Sequence, residues 1–456
     1  MDDNYYVSGV TAGTDTNQYI KALFGKTLSN GSSQYINGLI DTLPYSYQCF
    51  WNTLNRTSDG NFVICGEMID TMGKIFIAKI DTNGHVMFIK DYPDTTWLLY
   101  HAQNVIEIPG IGFMIAVNVA YPNNNSAILL ITTDTVGNLL QKKIHDLNTV
   151  EFPWIIRKTI SGTYMIGAVT RKSNTNTPFW AKTWLLEVDS MGNYVNQWLD
   201  NDNKNKWPYG MQQTADSGWI IVRQHLAYDV AGLQLYNASV IKLDKNFTKE
   251  WEVIKGDSGF DTGLYDVEIL QDGKYIVCGT TPEWGTDSAH HFGWILKIDT
   301  DGTILWERKY VAYERFGTYS FLYDIDVLPN GDLLACGELR FTFNVGITPI
   351  QQGWILRTDS NGCVIENCIL SSPLTREEES AIQVWPNPAS NYVIVSLENE
   401  MLHAELKVFD VTGKLMIEKN VTEEQTAIDV SDLNRGMYLM IAEKQGMFAR
   451  VKMVVE

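Results

Sequence analysis

The chain has 456 residues, 45% hydrophobic and 20% charged, with a formal net charge of -19. That length and balance describe a globular protein with room for more than one domain, and the acidic surplus excludes nucleic acid and anionic membrane surfaces as partners, since both demand basic patches. No apolar run reaches the ~18 residues of a membrane span, and six cysteines are too few for a disulfide scaffold.

The chain opens on Met-Asp-Asp-Asn, an acidic start with none of the features of a signal peptide. Residues 4–42 then carry three β-patterned runs, at 5–9, around Gly25-Lys-Thr-Leu-Ser-Asn-Gly31, and at 34–41. Their meaning becomes clear further along, where a phrase of roughly 55 residues recurs. Its clearest copies run YDVEILQDGKYIVCGTT…GWILKIDTDGTILWERKY from Tyr265 to Tyr310 and YDIDVLPNGDLLACGEL…GWILRTDSNGCVIENC from Tyr323 to Cys368. Each copy holds four runs rich in Val, Ile, Leu, Tyr and Trp, which read as strands A, B, C and D. In the first copy quoted these are residues 266–270, 275–279, 294–299 and 303–310.

Turn residues separate the runs. Between A and B stands Asp272-Gly273, a hairpin signal. It recurs as Asp59-Gly60, Pro109-Gly110, Ser161-Gly162, Asp216-Ser-Gly218 and Asn330-Gly331. Between C and D stands Asp299-Thr-Asp-Gly302, in which the Asp caps its own turn and the Gly is free to take a positive φ. It recurs at Asp81…Gly84, Asp134…Gly137, Asp189…Gly192 and Asp359…Gly362, while one copy keeps Asp244 but has Asn246-Phe247 where the Gly would stand. Six full copies begin near Cys49, Trp97, Phe152, Trp207, Tyr265 and Tyr323, and residues 4–42 form a seventh that lacks strand A. Four-stranded antiparallel units without intervening helices predict an all-β chain with a β-propeller over residues 1–370, since closure removes the exposed edges of so many strands. Seven blades are expected, with six or eight as alternatives. The missing first A strand is expected to come from the far end of the ring near 368–373, or to reflect a truncated N-terminus.

The repeat stops near Leu370. Residues 371–381, SSPLTREEESA, are polar and free of aromatics, as a linker would be. Beyond it, runs at 392–397, 404–409, 415–418, 426–430, 438–443 and 448–455 predict a small Ig-like β-sandwich over 382–456. This tail carries Pro386-Asn387-Pro388-Ala389, the turn Asp410…Gly413-Lys414, Leu433…Gly436-Met-Tyr438 and a basic-then-apolar end, Arg450-Val-Lys-Met-Val-Val455. With these motifs in this order it resembles the C-terminal sorting domain of type IX secretion substrates of Gram-negative bacteria. The resemblance implies the type IX machinery as a partner, passage across the outer membrane, then release or attachment at the surface, with the tail removed near 371–381 in transit. Such substrates carry an N-terminal export signal, and its lack here favours a truncated start.

Function is sought where the copies differ. The B–C connections grow to about a dozen residues, at 171–182, 224–236, 281–292 and 339–352, and two D–A connections, 255–264 and 311–322, are also long; long loops on a rigid scaffold are where binding concentrates. That face is aromatic. Trp97, Trp154, Trp207, Tyr209, Tyr265, Trp284, Tyr319 and Tyr323 lie in or beside these connections, and such rings suit a glycan or protein ligand. Each of them is alternatively a wedge between blades.

Chemistry-bearing groups are sparse. Asp266 and Glu268, then Asp324 and Asp326, occupy equivalent places in consecutive A strands. Residues two apart share a side of a strand, so all four face the channel if A is innermost, either as a solvated wall or as acid–base groups. His290 and His291, with Glu283 and Asp287 nearby, are candidate transition-metal ligands or plain loop residues. No GxSxG, HExxH, phosphate-binding loop or paired CxxC motif occurs, and no cofactor is expected. Cys65, Cys278 and Cys336 share one repeat position before a Gly and read as small core side chains. The sequence thus describes an exported surface or secreted binding propeller. A propeller glycosidase or lyase using the four carboxylates and a structural part of a surface assembly are the rivals.

Overall fold

The computed structural model describes residues 4–12, 20–28, 33–38, 47–48, 54–68, 74–93, 99–121, 125–171, 181–200, 206–230, 233–256, 262–282, 291–311, 318–341, 350–364, 382–397, 402–410, 414–444 and 447–455. Every helix or strand among them is a β-strand. Trp97, Trp284, His290, Gly413 and the 371–381 segment lie outside the described residues. The chain divides into two compact units, Met1–Cys368 and Ile369–Glu456.

In the first unit each copy of the repeat folds into one antiparallel sheet whose strands lie in sequence order. Blade one has three strands, Asn4–Ala12, Ile20–Leu28 and Ser33–Gly38, which are the B, C and D of the incomplete copy. In blade two the inner strand is split, since Tyr47–Gln48 and Asn55–Arg56 pair separately with Phe62–Met68. The inner strands of blades three to seven are Leu99–Ile108, Val150–Lys158, Lys206–Gln213, Gly263–Ile269 and Thr318–Val327. Blades six and seven touch through one parallel bridge, His291 to Tyr319. Among the described residues these sheets make up seven blades of a β-propeller.

In blades three to six the B and C strands are largely buried on both faces, which is why their sequences are nearly unbroken apolar runs, whereas in blade seven Ile355 of strand C is 42% exposed. Gly112–Ala120 and Tyr275–Pro282 are buried along nearly their whole length. The apolar layers lie between blades. One joins Val63, Ile75 and Tyr92 of blade two to Val105, Phe113 and Leu129 of blade three; another joins Val222 and Val240 of blade five to Val267, Val277 and Trp294 of blade six. Each such side chain contributes roughly 1.5–3 kcal/mol by leaving water, so neighbouring blades hold each other up.

The C–D turns have a second role that their Asp-x-x-Gly pattern conceals. A side chain from the outer strand of one blade anchors the C–D turn of the next. Tyr92 Oη donates to Gly137 O at 2.7 Å, and His145 Nε2 lies 3.0 Å from Gly192 O. Trp251 Nε1 donates to Thr300 O at 2.9 Å, and Tyr310 Oη donates to Gly362 O at 2.7 Å. Between blades four and five, Trp198 stacks instead on Phe247, the residue that replaces the usual Gly and takes φ 61° all the same. Trp251 therefore sits at a blade seam, packed against the apolar layer that blades five and six share. Trp306 does likewise, its ring lying 3.0 Å from where a side chain at Gly362 would begin. Another difference concerns the 224–236 connection. It is mostly strand, because Trp219–Val230 and Leu233–Leu243 continue pairing as far as Val230 opposite Leu233.

The second unit is a two-sheet β-sandwich. One sheet pairs Ile382–Trp385, Tyr392–Leu397 and Gln425–Asp429. The other is ordered Leu415–Asn420, Glu405–Asp410, Gly436–Lys444 and Met447–Val455. Alternate residues such as Val393, Val395, Leu406, Val408 and Met440 fill the space between them. The sequence motifs meet here. Asn387 Oδ1 accepts from Val454 N at 2.8 Å, and Ala389 N donates to Val454 O at 2.7 Å, so the Pro-Asn-Pro-Ala segment clasps the last strand. Tyr438 Oη donates to Asn434 O at 2.8 Å, and Asp410 Oδ1 accepts from Lys414 N at 3.0 Å.

Candidate functional site

The inner strands carry a feature that the repeat pattern hides. In blades three to seven each has a β-bulge at the same place, opposite Ala116/Val117 in blade three and then at Pro153/Ile155, Pro208/Gly210, Leu264/Asp266 and Leu322/Asp324. The unpaired residues are Gln103, Trp154, Tyr209, Tyr265 and Tyr323. A bulge re-aims a side chain and is over-represented beside binding sites. Here it turns the four aromatic residues into one another. Trp154 and Tyr209 lie 5.2 Å apart, Tyr209 and Tyr265 5.4 Å, and Tyr265 and Tyr323 5.1 Å. Phe152 extends the arc at one end, 4.9 Å from Trp154, and Phe321 at the other, 5.7 Å from Tyr323. All four bulge rings remain partly exposed.

Inner strands of neighbouring blades run beside one another, so these residues line a common channel. The chain enters each inner strand from a D–A connection. Residues early in the strand therefore lie toward the loop face, and later ones lie deeper. The tier just past the bulge holds Asp266 and Asp324; two residues further on come Arg157, Gln212, Glu268 and Asp326. The channel is thus ordered as an aromatic mouth above a carboxylate floor.

Asp266 is the hub of that floor. It is 5% exposed. Its Oδ2 accepts from Ile325 N of blade seven at 3.3 Å, and Arg157 Nη2 of blade four lies 3.8 Å from Oδ1. A Cβ on Gly210 of blade five would sit 2.7 Å from the Asp266 Cα, so only glycine allows this approach. Burial, followed by the charge of Asp324, holds the Asp266 carboxyl well above the usual range. Glu268 accepts from Gln212 Nε2 at 2.7 Å and is pushed up to about 7 by burial, which Arg157 only partly offsets. Asp326 presents open surface to the channel but is hemmed in by protein and by Asp324, and is raised to about 6. Cys278 and Cys336 lie behind these carboxylates, and burial in that acidic surround pushes both thiols up, which keeps them unreactive.

Of the residues singled out in sequence, the structure thus brings together Trp154, Tyr209, Tyr265 and Tyr323 above, and Asp266, Glu268, Asp324 and Asp326 below. Trp207 is partly buried two residues before Tyr209 on the same strand. Tyr319 packs on His291 at 5.0 Å. His291 also stacks on Phe321 at 6.1 Å, an aromatic setting, and among the described residues no group of three or more His, Cys, Asp or Glu is placed to hold a metal. Arg157 and Gln212 were missed. Their one sequence signal is register, since both stand three residues after the bulge, as Glu268 and Asp326 do.

Residues 383–456 match the family model described as a secretion system C-terminal sorting domain. This unit is the sorting domain of the type IX secretion system, and it makes the chain a secreted or cell-surface protein. No curated protein matches the chain. Among solved structures it is similar to PorZ, a surface component of the type IX secretion system of Porphyromonas gingivalis, with 9% identity over 100% of this chain and 68% of that one and a TM-score of 0.34. It is also similar to an ulvan lyase, with 9% identity over 89% and 96% and a TM-score of 0.44, and to a putative exo-beta-1,3-galactanase from Bifidobacterium bifidum, with 10% identity over 68% and 99% and a TM-score of 0.37. At these values the similarities carry no argument about activity.

Proposed function

We propose that the protein is an exported binding protein whose propeller takes a glycan or protein ligand at the mouth of its channel, the type IX machinery being its partner in transit. One observation carries the ligand half: the continuous arc of partly exposed aromatic rings, set by a bulge repeated in consecutive blades. Rings placed only to fill seams would have no need of a bulge at the same place in five consecutive inner strands. The test is capture of ligands from a glycan array and from surface extracts by the full chain and by Tyr265→Ala. Loss of capture in a variant that still melts cooperatively is the expected result; undiminished capture overturns the site. Export is tested by a precursor ending at residue 381, which stays inside cells that release or display the full chain.

A second reading, a glycosidase or lyase, is favoured by Glu268 and Asp326, whose carboxyls titrate at about 7 and about 6, the range that suits general acid–base work at neutral pH. Turnover of a defined polysaccharide, abolished in Glu268→Gln with binding retained, would select it.

A further inference from the structure

We infer that the propeller channel receives a lysine or arginine side chain of a polypeptide partner, its apolar stem among the rings of Trp154, Tyr209, Tyr265 and Tyr323 and its cationic head against Glu268, Asp324 and Asp326. This rests on the proposed reading that the channel mouth binds a ligand and adds the ligand's chemical class.

The order of the tiers carries the argument. A ligand entering from the loop face meets carbon-rich rings first and carboxylates second. Tyr209 Oη donates to Gln224 Oε1 at 3.1 Å and Tyr323 Oη donates to Glu338 Oε1 at 2.6 Å, so both rings have already committed the one proton they could donate. A sugar desolvates many hydroxyls, each of which needs a partner, and these rings offer few. A lysine or arginine instead combines an apolar stem with one concentrated charge, and aromatic faces attract such a cation.

The floor is short of positive charge. Among the described residues four carboxylates meet there with one guanidinium, and Arg157 stands against Asp266 at 3.8 Å. Glu268 is hydrogen-bonded to the neutral amide of Gln212, and Arg157 offsets its burial only in part. Asp324 and Asp326 are the most exposed of the four, so they are the carboxylates an incoming cation reaches. The net charge of -19 draws a basic segment toward the protein from a distance.

The test uses the full chain, a lysine-rich decapeptide, the same peptide with its lysines acetylated, and a chitosan oligomer, titrated calorimetrically at about 0.15 M salt. The decapeptide is expected to bind, and acetylation to weaken it by roughly tenfold or more. The double variant Glu268→Gln/Asp326→Asn, which adds no bulk and keeps polar groups in place, is expected to lose a similar factor while its melting midpoint shows that it is folded. Undiminished affinity for the acetylated peptide or in the double variant overturns the inference, as does no peptide binding at all. Binding of the chitosan oligomer but not the peptide overturns the choice of polypeptide. If Tyr265 governs capture in the earlier test while these titrations fail, the cationic class falls and the binding reading stands.

Discussion

Asp266 and Glu268 show what the channel does to a carboxyl group. Both stand where water is scarce and like charges are close, so the fold favours their neutral forms. For Glu268 the folded-state value, about 7, lies above the ordinary 4.5. Its stabilising contribution is therefore complete below the ordinary value and is lost as pH rises through 7. Asp326, at about 6 against 3.8, acts in the same direction. Glu268→Gln removes one of these losses. Its melting midpoint is expected to fall less than that of the native protein between pH 5 and pH 8, by the equivalent of about 1 kcal/mol after allowance for channel water. Parallel curves for the two proteins would show that Glu268 has no such linkage. The pair Asp266/Glu268 was legible in the sequence because alternation in a strand is a local rule. Arg157 and Gln212 were not, because nothing in a lone arginine or glutamine says that a distant blade will bring a carboxylate beside it.

Single strands and turns make up the next scale. Inner strands and C–D turns each have one role visible in sequence and one that is not. The Asp-x-x-Gly turn announces itself by composition; that it is also the anchor point for the preceding blade emerges only when an outer strand arrives with Tyr92, Trp251 or Tyr310. Tyr310 is 8% exposed, and its hydroxyl is the donor to Gly362 O at 2.7 Å. Tyr310→Phe leaves that carbonyl without this donor, and a loss of about 1–2 kcal/mol is expected in urea unfolding. A variant as stable as the native protein would show that the ring alone holds the seam. The bulges were likewise hidden. Tyr209, Tyr265 and Tyr323 read as aromatic residues beside long loops, but the extra residue that turns each ring is a matter of pairing register, which a single strand does not record.

The whole molecule joins a scaffold to an address. Its export fits one covalent detail: Cys363 is disulfide-bonded, while Cys278 and Cys336 carry free thiols. A disulfide belongs to an oxidising compartment. Exported protein, denatured and titrated for thiols, is expected to show at most four free among its six cysteines. Reduction should lower its stability by roughly 2–4 kcal/mol. Six free thiols in exported protein would contradict the bond.

The sequence by itself determined the repeat, the strand-rich blades, the turns and the sorting tail, because each depends on interactions within a few residues or on a motif that stays contiguous. Only the tertiary structure decided what the repeat encloses. The aromatic arc, the shared carboxylate floor, the glycine at 210 that lets blades five and six approach, and the seam anchors all join residues roughly one blade apart or more. Such contacts form only after blades have packed, when burial rather than local propensity sets which side chains meet.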